Sequence, residues 1–542
     1  MTATASVALE EAPLRIFRAE RFLTLDGPDV EALVVSGDRI LARGPWEEAR
    51  RRYPHAEVVE LEGTGVPGLN DAHVHLAMVS EDLLHVDLSA GVVRDHSDLL
   101  ATLAREAGRT PQGAWLRGSR YDDARTSPGG RLTRDDLDRV TGDVPTLVVH
   151  VACHWGVANS AALALGGIED DTPPPPGGDL GRDGAGRLTG VLLEQALFDF
   201  ANPAVSRTGS TVVPPSSLAD RLGGLQRAVE TWHAAGLTSI CDAMVGPDDL
   251  RLFAEASARG LLSLRTGMLV AAPHYDLVHR LGLRSGVGDE LLRFVGVKAF
   301  VDGAVGGRTC LTELPHRDGG HGIQTTSDDD LRDVVRAVHG DGNRVAVHAN
   351  GDRAIRLLLG VLEETVAAEP RAGLRHRVEH CSIVDDDIVR RLAALDAIVV
   401  PFGSYPYFHG GALLDWYGAD RVDHMFAHRD LLDAGITVAG SSDYPCGPIE
   451  PLLAIQSCVT RTGYDGAQVG VRQRITVEEA LRVYTVGSAM ATGEAHLKGT
   501  LSPGRLADFV LLGSDLRSVP AGAIGSVPVL STWVGGRCVW PA

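Results

Sequence analysis

Cysteine and positive charge are scarce in this 542-residue chain, and no apolar run reaches the length of a membrane span. The seven cysteines (Cys153, Cys241, Cys310, Cys381, Cys446, Cys458 and Cys538) stand singly, with no C-x-x-C. An odd number scattered over so long a chain argues against a disulfide framework and for a reducing, cytoplasmic setting. Lys and Arg total 51 against 71 Asp and Glu, a formal charge of −20. Nucleic acid and anionic membranes attract basic surfaces, so neither is an expected partner. The first ten or so residues read as a frayed tail, and no basic segment followed by an apolar one marks a signal peptide. No strand leads into G-x-G-x-x-G and no G-x-x-x-x-G-K-[ST] occurs, which leaves dinucleotide and P-loop folds without support.

What is present is ample apolar material, 44% of the residues, in a chain too long for one core. Short β-like runs crowd both ends: 15–18, 32–35 and 58–61 near the start, 509–512 and 531–534 near the finish. They predict one small β-sandwich domain built from both termini, over 12–66 and 496–542. Between them, apolar runs at 146–149, 237–240, 294–297, 344–347, 397–400 and 436–439 alternate with amphipathic stretches such as 330–338 and 388–395. That alternation predicts parallel strands covered by helices, and so many units favour a closed (β/α)₈ barrel over 67–495. Residues 85–215 break the pattern with Pro173 to Pro176 and a glycine-rich stretch. They are expected to be an insertion, part of a lid, with a hairpin turn at Asp183-Gly184. Thr476-Val477-Glu478-Glu479 reads as a capping box opening a helix.

Several residues with metal-binding chemistry sit where apolar runs end. His73 and His75, after Pro67-Gly68-Leu69-Asn70-Asp71-Ala72, share one face of an extended strand and can aim both rings at one point. Lys298 closes 294–298, His348 closes 345–348, His380 follows Arg377-Val378-Glu379, and Asp443 follows 436–442. Each has an ordinary reading: a core histidine at 348, a lysine reaching water at 298, a carbonyl-bonded His380, an Asp443 capping the turn before Tyr444-Pro445. Four such accidents, in order and each at a strand end, are a poorer account than one shared site, because parallel barrels carry their active sites at the C-terminal ends of the strands.

This ordered set resembles the metal-dependent amidohydrolase superfamily, and within it the branch of YtcJ-like proteins and N-substituted formamide deformylases. The resemblance runs over nearly the whole chain. It is carried by Gly68 to His75, His154 with Asn159 to Leu163, Lys298 to Gly303, Val347 to Asp352, Val378 to His380, Gly440 to Pro445, and Lys498 to Leu501 with Pro503 to Asp508. It implies that His73 and His75 bind one divalent ion and His348 and His380 a second. Lys298, carboxylated on its amine, would bridge the two. Asp443 would contact metal and water and act as general base and acid. Zinc suits such nitrogen and oxygen donors best, and manganese and iron are also compatible.

His154, Asn159, Asp302, Arg308, Tyr121 and Tyr405 are candidate substrate contacts, with structural turns or packing as the alternative for each. Arg120 and the Tyr407, Phe408, His409 stretch are of the same kind. Pro401-Phe402 departs from the Gln-Pro pair found in many relatives, which puts a polar substrate contact from that loop in doubt. The expected activity is hydrolysis of a non-peptide C–N bond in a linear amide, an N-substituted formamide or an N-acyl amine. Hydrolysis of a cyclic amide or imide, decarboxylation at the same site, and a non-catalytic metal-binding scaffold are the rivals. A small-molecule substrate is the expected partner, and a homodimer is left open.

Overall fold

A computed structural model describes residues 13–127, 130–317 and 319–541, so the tail expected over the first ten residues lies outside the described residues. Eight parallel strands form the central sheet: β1 Leu69–Val74, β2 Leu237–Val245, β3 Arg265–Ala271, β4 Leu292–Phe300, β5 Val345–Ala349, β6 Arg377–His380, β7 Ile398–Val400 and β8 Thr437–Val438. Each pairs with the next in parallel register. The Ala72 N–H donates to the Gly440 carbonyl at 2.9 Å, which closes β8 onto β1. The fold is therefore the α/β barrel that the alternation predicts. Its strands are buried on both faces, as side chains facing either the barrel interior or the helices must be.

Helices Asp328–Gly340 and Asp386–Ala394 fall on the amphipathic stretches, each opened by a side-chain cap from Ser327 or Asp385. The capping box at Thr476 opens Val477–Arg482. β3 and β6 escape a reading by apolar runs, because Arg265 and Thr266 dilute one and Arg377 and Glu379 the other. Conversely, the run at 146–149 is not a barrel strand. It lies in strand Thr146–His150 of a separate six-stranded sheet built from residues 86–194, between β1 and the helix Leu218–Ala234 that precedes β2. In that sheet Gly178–Arg182 and Leu188–Glu194 form an antiparallel hairpin, and Asp183 accepts from the Ala185 and Arg187 amides in its turn.

The terminal segments join in one eight-stranded mixed sheet, ordered 537–540, 529–534, 509–512, 64–67, 14–22, 30–36, 39–44, with 57–60 also on 14–22. One face encloses Phe17, Phe22, Leu33, Ile40 and Phe509 in a common core. Phe17 meets Phe509 edge to face at 5.1 Å, and Gly65 lies between their strands because a Cβ there would fall 2.1 Å from the Phe22 ring. Among the described residues, no helix is long and apolar enough to cross a membrane.

Candidate active site

The seam that closes the barrel also builds its polar centre. Asp443 N–H donates to the His73 carbonyl at 2.9 Å, and His75 N–H to the Tyr444 carbonyl at 3.1 Å. This pairing sets the Asp443 carboxylate against both histidines, with Oδ1 3.0 Å from His75 Nε2 and 3.3 Å from His73 Nε2. His380 and Asp443 both hold φ values in the left-handed region, 68° and 54°. Non-glycine residues pay for that geometry, and such strain gathers where a side chain must be aimed.

The imidazoles form a row across the barrel mouth. Ring centroids are 5.3 Å apart from His75 to His73, 4.6 Å from His73 to His380, 4.5 Å from His380 to His348, and 5.0 Å from His348 to His154. Lys298 rises from β4 into the same cavity, about 350 Å³ of empty space walled also by Met78, Phe198, Phe300 and Met244. Its Nζ is buried without a hydrogen-bond partner and stands 4.7 Å over the Phe300 ring. Burial pushes the Lys298 amine down to about 8, and it pushes His348 and His380 well below the usual histidine range, helped by neighbouring positive groups. His73 is lowered by burial and by Lys298. For Asp443 burial acts upward, but hydrogen bonds from His73 and His75 override it and hold the carboxyl well below its ordinary range.

This centre fits a divalent cation. His73, His75 and Asp443 each offer a donor atom, all within 4.8 Å of one another. The buried Lys298 Nζ, His75 Nδ1 and His380 Nδ1 lack partners, an arrangement that packing alone disfavours. Neutral imidazoles and an ionised carboxylate are the protonation states a metal needs. Asp122, Asp123 and His150 also bring donor atoms within 4.8 Å of one another, but Arg131 and Arg308 pair with Asp123 at 3.0 and 3.4 Å and answer its charge.

A supporting layer escapes a reading of the sequence alone. Glu379 hydrogen-bonds His73 Nδ1, fixing that ring, and pairs with Arg377 Nε at 2.7 Å with both groups fully buried. Burial would raise the Glu379 carboxyl, yet Arg377 and His73 hold it far below its ordinary value. Glu194 does the same for His154, whose Nδ1 lies 2.6 Å from its carboxylate. Gly303 leaves room for this: a Cβ there would sit 2.4 Å from Glu194 and 2.2 Å from Thr309 Oγ1. The available signal was a charge at i and i+2 in an otherwise buried strand, Arg377-Val378-Glu379.

Of the six candidate substrate contacts His154 lines the cavity itself, Tyr405 reaches it through a hydrogen bond with the Asp443 carboxylate, and Asp302 stands behind it, 3.7 Å from His348 Nε2. Asn159 is the cap of helix Ser160–Leu165; it accepts from the Thr146 and Ala162 amides and donates to the Gly142 and Val144 carbonyls. Asp302 accepts from the Leu311, Asn350 and Gly351 amides and so ties the loop after β4 to the end of β5. Tyr121 packs in the core of the inserted sheet and accepts from the Leu132 amide through its hydroxyl. Arg308 bonds Asp123 and lies over Trp416. Tyr405 stacks at 3.7 Å on Phe402, which in turn stacks at 4.2 Å on His380. The Phe402 ring therefore braces His380, and position 402 supplies packing in place of a polar contact. Arg120 reaches Asp87 and the Tyr444 hydroxyl, and Phe408 takes Arg125 over its ring, so both join the insertion to the barrel.

Comparison with known proteins agrees with this architecture. The sequence matches the amidohydrolase family over residues 57–540 and, over 32–56, an imidazolonepropionase-like composite domain of bacteria. It is 32% identical to an N-substituted formamide deformylase of Arthrobacter pascens across 93% of this chain and 94% of that one. It is 30% identical to the amidohydrolase YtcJ of Bacillus subtilis (strain 168), across 95% and 97%. Among solved structures, an uncharacterized metal-dependent hydrolase of Pyrococcus horikoshii OT3 superposes with a TM-score of 0.74 at 25% identity, over 94% of this chain and 99% of that one.

Proposed function

This chain belongs to the amidohydrolase family, a metal-dependent hydrolase of carbon–nitrogen bonds, and from that premise we propose that its barrel-end cavity cleaves a linear, non-peptide amide. The favoured substrates are an N-substituted formamide or an N-acyl amine, a choice supported by the likeness to the Arthrobacter deformylase. The observation that carries the reading is the row of buried imidazoles with Asp443 at one end and the unpartnered Lys298 amine beneath it.

His73, His75 and Asp443 would hold one divalent ion, zinc first among the candidates, and His348 and His380 a second. Lys298, as its carbamate, would offer oxygens to both. When bound, such ions polarise a carbonyl and lower the pKa of water toward neutrality. Asp443 stays ionised, so it can accept the proton of the attacking water and hand it to the leaving nitrogen. Glu379 holds His73 in one tautomer and orientation. Phe198, Phe300 and Met244 present apolar walls that keep bulk water from the reacting carbonyl.

The test is product analysis by mass spectrometry after incubation of metal-replete protein with an N-alkylformamide, an N-acetyl amine and a cyclic imide. Release of the free amine with formate or acetate supports the proposal. Ring opening of the imide alone, or loss of carbon dioxide from a carboxylated substrate, would replace it with one of its rivals.

A further inference from the structure

A second chamber adjoins the metal-binding cavity, and none of the chemistry above uses it. It is an open cleft, about 900 Å³ with the solvent at its mouth included, between helix Leu76–Asp82, the inserted sheet and helix Gln195–Ala201. Its inner end is shared with the catalytic cavity, since Met78, Cys153, Phe198, Asn202 and Met244 line both. Its outer end reaches the exposed Pro215 and Asp248. Between them the wall is apolar: Leu147, Val149, Leu197, Ala201 and Ala204. Charges stand around it, and most are paired, while the buried His85 Nε2 and Arg221 Nε keep no hydrogen-bond partner. Glu81 pairs with Arg117 at 2.6 Å, Asp249 with Arg221 at 2.5 Å, Asp248 with Arg251 at 2.7 Å, and Asp82 lies 3.5 Å from His85. A ligand entering here meets hydrocarbon and mostly paired charges, so a charged group gains less there than a chain of methylenes gains by leaving water.

The geometry points to a specificity chamber: it takes one elongated apolar substituent of the amide while the scissile bond lies beside His73 and Asp443. This rests on the amide-hydrolase reading and narrows its substrate class. Residues 85–215, the inserted sheet with helix Gln195–Ala201 and their connecting loops, supply most of the wall, so selection for the substituent resides in the insertion and the reaction in the barrel. A second opening, edged by Gln324 to Asp328, shares only Phe198 and Phe300 with the catalytic cavity and has a more polar rim. It is the roomier of the two, but it meets the catalytic cavity through fewer residues, so the chain is assigned to the first chamber.

Two homologous series test the proposal: N-alkylformamides from methyl to octyl, and N-methyl amides of straight-chain acids from acetic to decanoic. They separate a chain borne on nitrogen from one borne on the acyl carbon. In one series kcat/KM is expected to rise about fourfold per added methylene until the chamber is full. Ala201→Phe and Ala204→Leu, which narrow the chamber away from the metal-binding residues, are expected to abolish that rise while leaving the shortest substrate unchanged. The same series is titrated calorimetrically into Asp443→Asn protein, so that affinity is read without turnover. Turnover of short and long amides alike, with flat affinity, would overturn the chamber and leave the hydrolase reading standing. Steep affinity without turnover by the unsubstituted protein would keep the chamber and remove the amide reading. A length dependence that survives both substitutions would also overturn the proposal, because the chain would then lie elsewhere.

Discussion

The Asp443 carboxylate answers to its backbone as much as to its chemistry. Its left-handed φ and its N–H bond to the His73 carbonyl leave the side chain one direction, toward two histidine Nε2 atoms. Asp443→Asn keeps the shape and removes the proton acceptor. Turnover is expected to fall by about 10²- to 10⁴-fold with metal content retained, measured by steady-state rates beside elemental analysis. Asn159 makes the opposite case. An Asn followed by Ser160-Ala161-Ala162-Leu163 fits a pocket residue and a helix cap equally well in sequence, and only the saturation of its amide by backbone groups decides between them. Asn159→Ala is expected to cost about 1–2 kcal/mol of stability by denaturant titration, with kcat/KM unchanged. Asp302 serves both readings: its carboxylate accepts from three amides and also stands 3.7 Å from His348 Nε2.

Strand β6 shows how an element can carry a site and hide its reason. His380 is legible because a histidine ends a buried strand. Glu379 and Arg377 are not, because a charge inside a barrel is rare and its partners come from distant parts of the chain: His73, and the Ala72 carbonyl that accepts from Arg377. Breaking this pair leaves a buried cation unanswered. Glu379→Gln is expected to destabilise the fold by roughly 3–5 kcal/mol. It also frees the His73 ring, so metal affinity should drop by about 10- to 100-fold. Chemical unfolding and competitive chelation read the two effects separately; a neutral result in both would show that the pair does no structural work. Alternation exposes β2, β4, β5, β7 and β8 in the sequence. It misplaces 146–149, because an apolar run of four records burial and says nothing about which sheet buries it.

At the scale of the whole molecule, histidines buried in the neutral state tie stability to pH. Burial lowers His376 and His409 to about 3 and His428 to about 4. In the unfolded chain each would take up a proton near pH 6.5. Between those values the unfolded state binds more protons, so stability falls as pH drops from about 7 toward 4, by roughly 1–2 kcal/mol for each such group at pH 5. His154, raised because Glu194 outweighs its burial, acts in the opposite direction. Thermal unfolding at pH 7.5, 6 and 5 should show a steadily falling midpoint. The same scale governs the active centre, which exists only because the first and last barrel strands meet and bring His73 beside Asp443. Plasma mass spectrometry of the purified protein, with amide hydrolysis assayed on the same samples, tests this most directly. The account predicts two divalent ions per chain, with ions and turnover lost together in His73→Ala and in His348→Ala; hydrolysis at an undiminished rate by metal-free protein would contradict it.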